Sequence, residues 1–381
     1  MCPILDFFQS THLSYVSKLR INATSEQITL VFREEFNRSI STYSHDLANL
    51  EVLILQSPYA NYEIKVDMGD DYNAPSMVLP KSVKYLEMGY NFNRKIKFDC
   101  AVISLGFDHD FNKSVADLPE TLTHLFFGHN FNRAVDSLPQ SITHLHFGYE
   151  FNRGVDNLPT SLRELVFGDK FNKGVDFLPP NLKDLTFGKS FNKLVDNLPL
   201  DLDEITFGED FNQKVDFLPK AIIKITFGAR FNRSVDLLPE DLIDLTFGDD
   251  FNRSLRYLPP KVLSLILGKS FNKNADYLPN SITRLVFGEE FNQKVNHLPL
   301  NLSYLDFGLR FNQTVDALPC KLRSVDLGGD FNQSILNLPQ SLVFINLSIS
   351  LDPNAKIVLA NLPNIRLITK RMKRKKSVKA V

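Results

Sequence analysis

The chain has 381 residues, a formal net charge of −1 and 43% hydrophobic residues. Its three cysteines, Cys2, Cys100 and Cys320, are too few and too scattered for a disulfide framework or a zinc site, and no N-terminal apolar run has the length of a signal peptide or a membrane span. Phenylalanine is the outlier, with 32 copies beside no tryptophan, and most of the excess falls on a fixed period.

Residues 1–27 show no repeat. Within them Leu5–Leu19 carries Phe8, Val16 and Leu19 among polar residues. That spacing predicts a short amphipathic helix, and its place suits an N-terminal cap on a repeat array. Residues 28–78 hold degenerate copies of a unit. One contains Leu30-Val31-Phe32 and Phe36-Asn37; another runs through Leu50, Leu53, Leu55 and Tyr59. The irregular segment Asn61–Met77, with Gly69-Asp70-Asp71, reads as a loop. Regular copies fill residues 79–351. The first is marked by Leu79-Pro80, Leu86, Gly89 and Phe92-Asn93, and the next is one residue short, with Phe98-Asp99 for Leu-Pro and Asp108 for Gly. From Phe111-Asn112 to Phe331-Asn332 the Phe-Asn pair then returns every 20 residues without insertion or deletion. Beyond that, Ser348 replaces Gly and Leu351-Asp352 replaces Phe-Asn. Residues 352–369 are expected to cap the other end, with Ile357–Leu359 and Ile365–Ile368 as last strands. Residues 370–381 hold seven positive charges and are expected to be a disordered tail. Removing those seven from the net −1 leaves the rest of the chain at about −8, which argues against a nucleic-acid-binding body.

Self-similarity at this period signals a solenoid, in which one unit cannot bury its apolar side but stacked units can. Counting the unit's Leu as position one, apolar residues fall at one, five, eight, ten, fourteen and eighteen: Leu158, Leu162, Leu165, Phe167, Phe171 and Val175 in one copy. Position eight sits between varied, mostly polar neighbours at seven and nine, as a half-buried strand requires. The unit is too short for a strand, a helix and two turns, and its Pro further opposes a helical return. Gly at position eleven, from Gly128 to Gly328, permits either positive φ or a close backbone approach. Asn at fifteen carries a donor and an acceptor and can form a ladder between copies.

The motif L-x-x-L-x-F resembles the core of a leucine-rich repeat. The fuller pattern L-P-x-x-L-x-x-L-x-F-G-x-x-F-N-x-x-V resembles the FNIP repeat, a family grouped with leucine-rich repeats. The resemblance implies a mainly β fold: a leucine-rich-repeat-like parallel β-solenoid or horseshoe with one short strand per repeat. One departure is that Asn132 lies five residues after Phe127, whereas a leucine-rich repeat places its Asn three after the third apolar position. Relatives often carry an N-terminal F-box, for which the degenerate copies leave no room here.

Variable side chains on an invariant frame are what a ligand-reading surface needs. Positions seven and nine vary most, and the candidate partner-binding residues are His124, Phe126, His144 and His146, with Glu164, Asp184 and Glu204 beside them. The acidic group suggests a partner with a basic patch. Three histidines on neighbouring strands could bind a metal, but no Cys or carboxylate completes a set by pattern, and chance exposure is the better reading. Position sixteen is mostly Lys or Arg and position nineteen mostly Asp, read as parallel columns that neutralise each other in solvent. No GxGxxG, GxxxxGK[ST] or GxSxG occurs, and carboxylate pairs such as Asp249-Asp250 and Glu289-Glu290 sit in turns without a cleft.

The expected function is therefore a non-enzymatic protein–protein interaction scaffold with no cofactor or metal, acting through its concave strand face. The alternatives are a nuclear or nucleic-acid-associated protein acting through the basic tail, and a ubiquitin-ligase substrate adaptor without a recognisable F-box. Ladder asparagines in sequons, such as Asn112 and Asn232, would stack poorly if glycosylated. Together with the sparse cysteines they favour an intracellular site, cytoplasmic or nuclear.

Overall fold

The computed structural model describes residues 83–96, 98 and 101–347, together with the backbones of the strands Val16–Asn22, Gln27–Phe32, Glu63–Asp67 and Arg366–Ile368. The basic tail and the segment Ile357–Leu359 lie outside the described residues. The chain divides into two units, Met1–Lys193 and Leu194–Val381.

In the first unit β1 (Val16–Asn22) pairs antiparallel with β2 (Gln27–Phe32). Every later pairing is parallel and in chain order, through β3 (Glu63–Asp67), β4 (Val83–Met88), β5 (Ser104–Phe107), β6 (His124–Phe126), β7 (His144–His146), β8 (Glu164–Val166) and β9 (Asp184–Thr186). The second unit repeats the arrangement. Its strands are β10 (Glu204–Thr206), β11 (Lys224–Thr226), β12 (Asp244–Thr246), β13 (Ser264–Ile266), β14 (Arg284–Val286), β15 (Tyr304–Asp306), β16 (Ser324–Asp326), β17 (Phe344–Asn346) and β18 (Arg366–Ile368), all parallel. The fold is thus a parallel β-solenoid with one strand per repeat, and no helix occurs among the described residues.

Two expectations at the N-terminal end are corrected. Val16–Leu19 belongs to a strand and not to a helix. Leu19-Arg20-Ile21 alternates with period two, and β2 offers an edge whose backbone groups an antiparallel neighbour satisfies. The segment Asn61–Met77 is not wholly a loop, because Glu63–Asp67 forms β3. Its Glu-Ile-Lys-Val-Asp alternates as a strand does but lacks the Phe-Asn that marks the other copies. At the other end, Arg366–Ile368, within the expected Ile365–Ile368, is a strand paired with Phe344–Asn346.

Within a repeat, the strand occupies positions seven to nine, and the apolar side chain at eight is buried between half-exposed neighbours. Leu162, Leu165 and Phe171 are 0% exposed, and Phe167 is 3% exposed. The two phenylalanines stack within the repeat, as Phe167 and Phe171 do at 3.7 Å between centroids. They stack again across repeats, Phe151 on Phe171 at 6.1 Å. Such pairs add about 0.5–1.5 kcal/mol beyond burial. Pro at position two needs no N–H partner, and its carbonyl closes a turn: Pro159 accepts from the Leu162 N–H at 3.1 Å. The return is non-helical, and its backbone pairs one repeat over: Lys170 N–H donates to the Tyr149 carbonyl at 3.0 Å.

Position eleven is glycine because backbones meet there. A Cβ on Gly168 would fall inside the carbonyl of Gly148, one repeat earlier, and the same holds for Gly228 against Gly208. Among the described glycines, positive φ occurs at Gly308 and Gly328, at 74° and 78°. Close approach, not left-handed backbone, explains this column.

Candidate functional site

The solenoid frame varies the side chains at positions seven and nine along the stack, from His and Phe in β6 to Lys and Thr in β11 and Tyr and Asp in β15. The parallel register sets His124 beside His144, Phe126 beside His146, and His144 beside Glu164. Glu164 is in turn beside Asp184. His124, Phe126, His144, His146 and Glu164 are therefore not independent surface groups but one cluster on β6, β7 and β8. The rings of His124 and His144 stack at 4.2 Å with an interplanar angle of 6°. Phe126 meets His146 edge to face at 4.8 Å.

Hydrogen bonds fix the rings. His124 Nδ1 lies 2.8 Å from Thr123 Oγ1, and His144 Nδ1 lies 2.8 Å from Thr143 Oγ1. Each Thr hydroxyl also reaches a backbone carbonyl of the preceding repeat, Ile103 at 3.2 Å and Thr123 at 3.2 Å. A hydroxyl donating there accepts from the imidazole, which assigns the proton of each neutral ring to Nδ1. His146 Nε2 donates to Glu164 Oε1 at 2.6 Å, and His144 Nε2 lies 3.8 Å from Glu164 Oε2. Burial, and then the adjacent His144, hold the His124 imidazolium below the usual histidine range.

The sequence pattern marks the histidines but not the threonines that orient them. A signal for them is present: Thr at position six, immediately before His, occurs at Thr123 and Thr143. Asp184 is exposed, unlike the half-buried cluster. In the second unit Glu204 is half-buried and pairs with Lys224 at 2.6 Å, so its charge is locally neutralised. Among the described residues no group of three or more His, Cys, Asp or Glu is arranged to hold a metal ion.

The position-sixteen column also takes part in the hydrogen bonding of the Asn ladder. The ladder Asn accepts through Oδ1 from the backbone N–H of the next Asn, Asn132 from Asn152 at 3.1 Å. The position-sixteen side chain then clasps the ladder from outside. Arg133 and Arg233 donate from Nε to the carbonyls of Asn112 and Asn212 at 3.0 and 2.8 Å, whereas Gln293 donates to the side-chain oxygen of Asn272 at 2.9 Å. Asp236 accepts from Ser234 in its own turn at 2.7 Å. Ion pairs across repeats include several at position thirteen, such as Lys170 with Glu150 at 2.8 Å and Arg310 with Glu290 at 2.7 Å, and one at position four, Lys261 with Asp241.

The family model described as FNIP Repeat matches residues 72–100 and, in overlapping pieces, residues 111–310. Among solved structures the chain is similar to CroV588, described as a novel circular LRR protein, at 39% identity and a TM-score of 0.71 over 74% of this chain. The match spans 46% of the length of CroV588. The chain is also similar to an internalin from Listeria monocytogenes, at 13% identity and a TM-score of 0.52 over 70% of this chain and 86% of that one, a likeness of fold alone. No curated protein matches. No helix among the described residues is long and apolar enough to cross a membrane.

Proposed function

The chain belongs to the FNIP-repeat family, and from that premise we propose that it is a non-enzymatic protein–protein interaction scaffold. A partner docks on the strand face through positions seven and nine. One observation carries the reading: in repeat after repeat the side chain at eight is buried and aliphatic, while those at seven and nine reach solvent and range over charged, polar and aromatic types. The varied side chains of the strand face form an open surface suited to a partner, and no reaction is assigned to it.

In this reading the seven candidates take different roles, which their packing supports. His124, His144, Phe126 and His146 form a rigid, half-buried aromatic platform braced by Glu164. Rigid aromatics beside a charge are favourable anchors for a partner. Asp184, exposed next to Glu164, supplies the acidic edge that a basic patch would meet. Glu204 contributes less, since Lys224 already neutralises it. An intracellular setting is supported by the exposed free thiol of Cys320 and by the half-buried sequon asparagines Asn112 and Asn232, whose side chains serve the ladder.

The test is affinity capture with the full chain and two variants. Joint replacement of His124, Phe126, His144, His146, Glu164, Asp184 and Glu204 should abolish capture of the partner while melting stays cooperative. Changing Arg153, Lys173 and Asp176 on the return side should leave capture intact. The opposite pattern would move the interaction off the strand face.

A further inference from the structure

A second surface lies on the return side of the second unit. Position twenty, just before each Leu-Pro, carries Phe217, Leu237, Tyr257 and Tyr277 in four consecutive repeats, each 62–70% exposed. In stacked register these side chains follow one another at about 5 Å, forming an apolar stripe of the kind that marks interaction sites. Beside it runs a groove of about 1030 Å³ whose lining includes Leu237 and Tyr277, five cations and two carboxylates. Position nineteen is Asp in the flanking repeats, at Asp236 and Asp276, but is Arg256 between them. The guanidinium of Arg256 sits over the rings of Tyr257 and Tyr277, at 5.6 and 5.2 Å from their centroids. The repeat that breaks the acidic column thus places a cation, held by two aromatic rings, in the middle of the stripe.

We infer that this groove docks an extended acidic peptide segment of a partner protein that also carries aromatic or aliphatic side chains. Arg253, Arg256 and Lys273 meet its carboxylates, and the stripe from Phe217 to Tyr277 covers its apolar side chains. Arg253 uses Nε, its inner nitrogen, on the Asn232 carbonyl at 3.0 Å, which fixes the side chain along the groove. The carboxylates Asp216 and Asp236 in the lining select against a uniform polyanion. A nucleic-acid backbone would bring a phosphate against them, whereas a peptide places its acids only where the cations stand.

The experiment is a fluorescence-anisotropy titration of the full chain with labelled peptides. A peptide of repeated Glu-Glu-Tyr should bind, and added salt should weaken it. Replacing its Tyr by Ser should weaken binding by about tenfold, as loss of an aromatic anchor does. Arg256→Asp restores the residue that the flanking repeats carry, so the variant should melt as the parent does and bind about tenfold more weakly. Replacing Tyr257 and Tyr277 by Ala should weaken binding comparably. Failure of the peptide to bind, or equal binding by R256D, would overturn the inference. So would tighter binding of oligothymidylate, which would make this a nucleic-acid site. Self-association of the chain that R256D abolishes would also overturn it, by assigning the stripe to a second copy. Because the strand-face residues are untouched, none of these outcomes bears on the proposed function.

Discussion

At the scale of single residues, the repeat tolerates change where a side chain meets solvent and refuses it where backbones or rings meet. Phe211 is 0% exposed, and Phe211→Ala should cost ~3–5 kcal/mol in a denaturant titration. The glycines separate into two kinds. A Cβ at Gly228 would strike the backbone of Gly208, whereas at Gly154 it would meet only the Asp156 carboxylate at 4.0 Å. Gly228→Ala should therefore destabilise by at least ~2 kcal/mol, while Gly154→Ala should be neutral or stabilise by about 0.4–1 kcal/mol. Equal effects would mean that close approach is not what position eleven requires. His124 gives a pH signature. Its folded pKa lies below the unfolded value of about 6.5, so the unfolded state takes up the proton first as pH falls. Its contribution to stability is intact above that value and declines as pH drops towards the folded one. His124→Gln should flatten the acid side of the stability profile in this window; an unchanged profile would show that protonating the stacked pair carries no such cost.

At the scale of the element, the repeat is held by rungs that are only partly visible in sequence. The strand at seven to nine, the buried Phe columns and the Asn ladder are legible because hydrophobic period and side-chain chemistry repeat openly. The donor to the ladder is not, since it is a backbone N–H: Asn152 N–H to Asn132 Oδ1. Nor is the clasp by Arg133, because charge pattern suggests the nearest opposite charge and not a carbonyl. Asn132→Ala removes the acceptor and leaves a half-buried N–H unpaired, at a cost of about 1–3 kcal/mol. Asn132→Asp keeps an acceptor and should recover most of that loss; a variant no better than Ala would show that the amide, and not the oxygen, matters. The strands Val16–Asn22 and Glu63–Asp67 are hard to read for a related reason. They lie outside the strict 20-residue spacing, and neither carries the Phe-Asn marker.

At the scale of the molecule, each repeat contacts chiefly its neighbours, so stability should accumulate repeat by repeat. Deleting residues 258–277 joins identical frames and should leave a cooperative fold of lower melting temperature, whereas deleting residues 258–267 breaks the register and should unfold the region. Circular dichroism during heating distinguishes the two. The candidate site is less legible than the fold. The variable positions are plain in the repeat, but the stacking of His124 on His144 and the bracing by Glu164 require neighbouring strands in register. Whether a partner reads this face is tested most directly by site-specific photo-crosslinking in cells. A photoreactive amino acid would replace Val166 or Asp184 on the strand face, or Lys173 or Asp176 on the return side. One discrete protein adduct is expected from the strand-face positions and none from the others. An adduct formed only from Lys173 or Asp176 would contradict docking on the strand face.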